Sequence, residues 1–230
     1  MKKLLIVFLI IPASHISAQI VRNTTESFNE LVFFVGINNP EYDNAEGSRY
    51  LNEEFVLAKI NSISKVQPVR FNLIENSIEI RKEDGTIMSL SQSYDYTIKL
   101  VDGSKKEYET KRFKNENGDI KTSFFEKIHA TENYALYFKE RIRYIPKKPA
   151  KSSYDQEVPA KFVKGISKFY MAFSKSESQE LIEIPRRKKD FLKTFMDKDG
   201  TMEKFLKKEK LKFDKKEDLV KVLDFYFIKT

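Results

Sequence analysis

The chain has 230 residues, of which 33% are charged and 13% aromatic, with a formal net charge of +8 and no cysteine. The absence of cysteine excludes disulfides, thiolate nucleophiles and cysteine metal sites. A chain of this length suits one large domain, or one domain with a small appendage, stabilised by packing of phenylalanine and tyrosine.

Residues 1–18 have the three regions of a secretory signal peptide. Lys2 and Lys3 form the positive start, an apolar stretch covers 4–11, and Ile16-Ser17-Ala18 fits a small-x-small cleavage site. The apolar stretch is too short to cross a bilayer of about 30 Å as a helix. We therefore expect an exported protein, periplasmic or extracellular, that does not span the membrane. We do not expect a lipoprotein, because no cysteine follows Ala18.

Residues 19–184 are predicted to form a β-rich domain. Its first part is ambiguous, because residues 24–37 fit either a helix or a buried strand. From about Tyr50 the apolar residues recur with period two, as in the run Val69, Phe71 and Leu73. Such alternation indicates strands with one buried and one polar face.

Three glycine turns separate the predicted strands. They are Glu83-Asp84-Gly85, Asp102-Gly103 and Asn117-Gly118, and glycine tolerates the positive φ that tight hairpin turns require. Their regular spacing predicts an antiparallel meander. The strands expected around and after these turns cover 95–101, 106–113, 119–129, 133–145, 169–173 and 181–184.

Residues 185–230 change to a helical period and are predicted to form a subdomain of short helices packed on the β-rich domain. Their apolar stripes begin at Phe191, Met202 and Leu219. A short amphipathic helix is marginal alone, so each stripe should be buried against the sheet or another helix. The predicted fold is α+β: a mainly antiparallel sheet of eight or more strands, forming a sandwich or partial barrel, followed by these helices.

Catalytic motifs are scarce. His129 is the only histidine outside the predicted signal peptide, and a hairpin-end histidine is common, so a histidine-based triad is not favoured. The chain has no GxSxG, HExxH or phosphate-cradling glycine loop. Its acidic residues are too numerous for any pair to mark a hydrolase. We expect no metal and no cofactor, and we favour a binding protein over an enzyme.

Two surfaces are candidates for binding. Alternation places Tyr137, Lys139, Arg141 and Arg143 on one exposed face of the long predicted strand, where such side chains can contact a ligand. Ordinary pairing with acidic neighbours across the sheet is the alternative.

The other candidate surface is the basic C-terminal region. It carries 15 lysines and arginines against 9 acidic residues over 185–230. The exposed lysines expected there are Lys204, Lys207, Lys208 and Lys210. They could meet an anionic lipid surface or another envelope protein. We expect no nucleic acid partner.

Two segments resemble a group of exported proteins common in Bacteroidetes. Residues 47–55 read GSRYLNEEF, where the group has G-S-x-Y-L-N-x-E-F, and residues 69–80 read VRFNLIENSIEI, where it has an R-Y-N run followed by E-hydrophobic-E. Phe71 replaces the usual tyrosine, and Asn76 stands where aspartate is expected. The resemblance implies export and a shared fold, and it transfers no catalytic residue.

Arg70, Asn72 and Glu79 are the polar residues of the second segment. In a hairpin that turns near 75–77, Asn72 should lie about opposite Glu79. The three side chains could then bind a ligand, or they could form cross-strand pairs that stabilise the sheet. The function predicted overall is a non-enzymatic binding or interaction module of the cell envelope. A carboxylate-dependent hydrolase and a peripheral binder of anionic lipid or the outer membrane are the alternatives.

Overall fold

A computed structural model describes residues 33–34, 39–61, 63–150, 154–174, 180–195 and 200–229. The predicted signal peptide lies outside the described residues. Of the ambiguous segment 24–37, the described part is Phe33–Phe34, which forms a short strand.

The described residues form strands over most of the chain and helices at its end. The strands are β1 (Phe33–Phe34), β2 (Val56–Ile60), β3 (Gln67–Asn72), β4 (Ser77–Arg81), β5 (Ile87–Leu90), β6 (Thr97–Leu100), β7 (Glu107–Lys114), β8 (Ile120–Ala130), β9 (Tyr134–Lys139), β10 (Ile142–Ile145), β11 (Lys161–Lys164), β12 (Lys168–Phe173) and β13 (Glu180–Glu183). The helices are α1 (Lys188–Thr194), α2 (Thr201–Glu209) and α3 (Lys216–Lys229), and a 3₁₀ turn covers Pro40–Tyr42.

Most of these strands join one sheet. Its order in the described part of the chain is β1-β5-β4-β3-β2-β6-β7-β13-β12-β9-β8, and β7 also pairs with β8. The strands β7, β13, β12, β9 and β8 therefore curl round into a partial barrel. The pairings are antiparallel except for β7 with β13. The predicted α+β fold, with an antiparallel-rich sheet followed by short helices, is confirmed.

The glycine turns form as predicted. Gly85, Gly103 and Gly118 have φ of 85°, 83° and 87° and join β4 to β5, β6 to β7, and β7 to β8. A residue with a Cβ is strained in this left-handed region, which explains the choice of glycine.

The inside of the partial barrel is filled mainly by aromatic rings. Phe113, Phe125, Tyr137, Tyr170 and Leu181 form one buried cluster, to which each of the five strands contributes a side chain. The Phe125 and Tyr170 rings meet edge to face with centroids 5.0 Å apart. Alternation along each strand places these residues inside and their neighbours outside.

The helices cover the outer face of β9 and β12. Tyr134 on β9 donates a hydrogen bond to Asp224 on α3 at 2.7 Å, and its ring stacks on Phe227 at 5.0 Å. Lys216 on α3 forms an ion pair with Glu126 on β8 at 2.7 Å. The predicted apolar stripes supply the buried side of this layer, with Phe191, Phe195, Met202, Leu206, Leu219, Val222 and Leu223 in its core.

The prediction of one strand over 133–145 is wrong. Strand β9 ends at Lys139, which lies opposite Lys168 at the start of β12. After Glu140 and Arg141 the chain leaves the large sheet, and β10 pairs with β11 in a sheet of two strands. Ile142 and Tyr144 resume the alternation of Leu136 and Phe138 after Glu140, so the period by itself does not mark the point at which the chain changes partner.

Within the described ranges, no helix is both long enough and apolar enough to cross a membrane.

Candidate functional site

One end of the partial barrel opens into a pocket of about 370 Å³, which we call the barrel mouth. This volume lies in the range of about 300–1,000 Å³ that is usual for small-molecule sites. Segments from the β3–β4 turn, the β7–β8 turn, the β9–β10 junction, β12 and β13 surround it. The lining residues are Leu73, Ile74, Asn76, Phe113, Lys114, Asn115, Glu116, Asn117, Lys139, Glu140, Arg141, Ile142, Lys168, Tyr170 and Glu183.

Lys139 is the unusual residue of the barrel mouth. Its side chain is half-buried, and its ammonium group lies 4.3 Å from the ring centre of Phe113 and 5.2 Å from that of Phe125. It donates a hydrogen bond to the hydroxyl of Ser123, and among the described residues no carboxylate pairs with it. Burial lowers the pKa of Lys139 to about 8, and the charge of Arg141 acts in the same direction.

Four of the other charged residues of the barrel mouth form a connected network; Lys114 and Glu140 line the pocket as well. The Glu116 carboxylate forms ion pairs with Arg141 at 2.8 Å and with Lys168 at 3.3 Å. Lys168 also contacts Glu183 at 2.9 Å. Hydrogen bonds from Arg141 and Lys168 lower the pKa of Glu116. The members of this network balance each other, whereas the half-buried Lys139 forms no ion pair with any carboxylate among the described residues.

Tyr137 is inside the barrel, and the expectation that it is exposed is wrong. It is 3% exposed, and its hydroxyl donates to Glu109 at 2.9 Å. Glu109 also binds Lys127 at 2.8 Å and Lys111 at 2.9 Å. Burial acts to raise the pKa of Glu109, but the hydrogen bonds from Lys127 and Lys111 outweigh it and lower the pKa to about 2.

The four residues of the predicted row therefore separate. Tyr137 belongs to the barrel interior, Lys139 and Arg141 line the barrel mouth, and Arg143 is exposed on the two-stranded sheet. Closure of the barrel turns the face that carries Tyr137 and Lys139 inward. The strand break then carries Arg143 away from them.

The polar side chains of residues 69–80 come together as predicted, but the two strands pair in a different register. These side chains are Arg70, Asn72 and Glu79. Arg70 lies opposite Glu79, and Asn72 lies opposite Ser77, so the expected pairing of Asn72 with Glu79 is wrong. The turn spans 73–76, which moves the register by two residues. Asn72 still reaches Glu79 diagonally at 3.1 Å, and Arg70 contacts the other carboxylate oxygen at 2.7 Å.

Residues 47–55, the first of the two segments that carry the resemblance, cover this polar group. The Arg70 guanidinium lies 3.6 Å from the ring centre of Tyr50 and 4.5 Å from that of Phe55. Asn72 is 1% exposed and Glu79 is 7% exposed. The two segments that carry the resemblance therefore contact each other. Their polar residues satisfy each other's hydrogen bonds and leave little surface for a ligand.

The predicted basic surface is present on α2 and the residue after it. Lys204, Lys207, Lys208 and Lys210 are exposed. Lys207 pairs with Glu203 at 3.2 Å on the same helix. Exposed pairs of this kind contribute little to stability and leave the charge in water.

Sequence reasoning missed most of the barrel mouth. Lys168 and Tyr170 come from β12, and Ser123, which accepts a hydrogen bond from Lys139, comes from β8; no motif links the two strands. Asn76, on the β3–β4 turn, also donates a hydrogen bond to the Ser123 hydroxyl. A usable signal was Lys168 at the start of an otherwise apolar strand, because β-sheet closure can bring such a lysine to a barrel end.

A hydrolytic site is not evident in the barrel mouth. A glycosidase requires one carboxylic acid to carry a proton, whereas Glu116 is held ionised by Arg141 and Lys168. Among the described residues, no group of three or more histidine or acidic side chains is arranged to hold a metal ion. Comparisons with protein-family models, curated proteins and solved structures give no match to this chain.

Proposed function

We propose that this chain is an exported, non-enzymatic binding module of the cell envelope that holds a small anionic ligand in the barrel mouth. The observation that carries the proposal is Lys139, a half-buried cation that lies against two aromatic rings and has no carboxylate partner among the described residues, in a pocket of about 370 Å³. An uncompensated buried charge is costly, and a ligand carboxylate would supply the missing counter-charge.

The lining of the pocket supports the same ligand class. Asn76 and Asn115 line the pocket, and Arg141, which pairs with Glu116, adds a guanidinium group to it. A carboxylate accepts hydrogen bonds from all of these donors. Export rests on the predicted signal peptide and remains a prediction from the sequence.

Succinate tests the proposal, with 1,4-butanediol as a neutral ligand of the same chain length. In ¹H–¹⁵N spectra of the protein, we expect succinate, but not butanediol, to shift the side-chain amides of Asn76 and Asn115 and the backbone amides of 139–141. Lys139→Met should abolish this response. Lys121→Met is the matched control, because Lys121 is exposed and lies outside the lining of the pocket.

A response that persists in Lys139→Met, or shifts confined to residues away from the barrel mouth, would contradict the proposal.

A second candidate is attachment to an anionic membrane surface through Lys204, Lys207, Lys208 and Lys210. Their exposure on one helix end favours it. Sedimentation with anionic liposomes should then weaken as salt screens the charges. Binding that does not change with salt concentration, or no binding at all, would exclude attachment through these lysines.

A further inference from the structure

We propose that Lys139 holds a carbonyl-containing acid covalently and reversibly, as an imine. The inference deepens the proposed function, on whose site it rests, and names the ligand class more narrowly. The side chain reaches the barrel mouth from β9, with the rings of Phe113 and Phe125 on its flank. Imine formation requires an uncharged amine in contact with a pocket that admits a ligand.

The surroundings of Lys139 favour the uncharged amine. The aromatic rings and the buried hydroxyl of Ser123 replace water around the nitrogen, and no described carboxylate stabilises the ammonium form. Burial and the nearby Arg141 both lower the pKa of Lys139. A lysine that is desolvated, or placed beside another cation, is the form that acts as a nucleophile.

The reaction needs no other reagent. The amine nitrogen attacks the carbonyl carbon and forms a C–N bond, while the carbonyl oxygen takes up a proton and becomes a hydroxyl group. Loss of that hydroxyl as water, with transfer of the remaining N–H proton to solvent, gives the neutral imine. Hydrolysis reverses each step, so the ligand is bound and released without oxidation or reduction.

Tyr170 is placed to assist at the carbonyl oxygen. It lines the same pocket, and its hydroxyl has no hydrogen-bond partner among the described residues. Burial, followed by the charge of Glu183, raises the pKa of Tyr170 and keeps the hydroxyl protonated. A protonated phenol can donate a hydrogen bond to the ligand oxygen and polarise the carbonyl group.

The ligand class follows from the two groups that the ligand would contact, the amine of Lys139 and the guanidinium of Arg141. The amine requires an aldehyde or ketone, and Arg141 at the rim favours a carboxylate on the same small molecule. A 2-oxo acid has both groups on adjacent carbons and fits a pocket of about 370 Å³.

Reductive trapping tests the inference. The protein is incubated at neutral pH with pyruvate and sodium cyanoborohydride, which converts an imine to a stable secondary amine, and the adduct is located by peptide mass mapping. We expect one main adduct, on Lys139, and a several-fold lower yield with neutral butanone. Lys139→Arg should lose this adduct, whereas Lys121→Arg, at an exposed lysine outside the barrel mouth, should retain it.

An adduct spread over the exposed lysines, unchanged in Lys139→Arg, would overturn the imine. The two proposals fail separately. If succinate shifts the barrel mouth but pyruvate is not trapped on Lys139, the imine is wrong and the anion site stands. If pyruvate is trapped on Lys139 but succinate gives no shift, the imine stands and the general anion site is wrong. If neither result is obtained, both are wrong.

Discussion

Replacing Lys139 by methionine should stabilise the protein at neutral pH. Methionine is one atom shorter than lysine, so the change keeps most of the side chain beside the rings of Phe113 and Phe125 while it removes the charge. A pKa lowered from the ordinary 10.5 to about 8 corresponds to a cost of about 3 kcal/mol for the protonated form. Water at the open end of the pocket screens part of that charge, so we expect a gain of about 1–3 kcal/mol.

The gain should depend on pH with a definite sign. Between pH 8 and 10.5 the unfolded chain binds a proton at Lys139 that the folded protein has released, so the stability of the native protein rises with pH in this window. The advantage of Lys139→Met is therefore full below about pH 8 and is lost as the pH approaches 10.5. Any contribution from packing of the methionine is independent of pH and remains.

Urea unfolding of both proteins at pH 7 and pH 10 measures this difference. Comparing the two proteins at each pH cancels the titration of other groups. An advantage of Lys139→Met that is the same at pH 7 and pH 10, or a loss of stability at pH 7, would refute the idea that the ammonium group is destabilised by burial.

Three further predictions concern the polar groups of the interior. Arg70→Met leaves Glu79 buried without its partner and should lower the free energy of unfolding by about 3–5 kcal/mol. The double variant with Glu79→Met should cost clearly less than the two single changes together, and additive costs in urea unfolding would contradict this coupling. Tyr108→Phe removes a buried hydroxyl that has no hydrogen-bond partner among the described residues, so the melting temperature should stay the same or rise. Tyr137→Phe removes the donor to Glu109 and should lower the free energy of unfolding by about 1–3 kcal/mol. Equal shifts in melting temperature for the two variants would contradict this prediction. Because the pKa of Glu109 is lowered from 4.5 to about 2, its contribution to the stability of the folded protein is complete above pH 4.5 and is lost as the pH falls toward 2. Glu109→Gln should flatten this part of the acid unfolding curve, followed by circular dichroism. An unchanged curve would show that the carboxylate is not held ionised.

The local features of the fold were predictable because they depend on neighbouring residues. Gly85, Gly103 and Gly118 occupy positive-φ positions that few other residues tolerate, so the turns could be found from their dipeptides. The stripes that begin at Phe191 and Met202 have the helical period, and both residues are buried. These signals act over a few residues and need no knowledge of the sheet order.

The candidate site was only partly predictable. Lys139 and Arg141 were selected from the sequence, but for an exposed row, whereas the structure places them at the mouth of a barrel with Tyr137 behind them. Lys168 and Tyr170 lie about 30 residues further along the chain and carry no motif. Their approach depends on the pairing of β9 with β12, which period-two alternation does not specify.

The amino-acid sequence alone determined that this protein has no disulfide, that its strands are joined by glycine turns and that helices follow them, because composition and period are local properties. Only the tertiary structure decided which side of each strand is interior. Alternation defines two faces for a strand but does not say which one a closing sheet will enclose. When β7 pairs with both β8 and β13, the face that carries Tyr137 and Lys139 turns inward. A lysine that the pattern placed in water thus becomes a half-buried cation at the opening of a pocket.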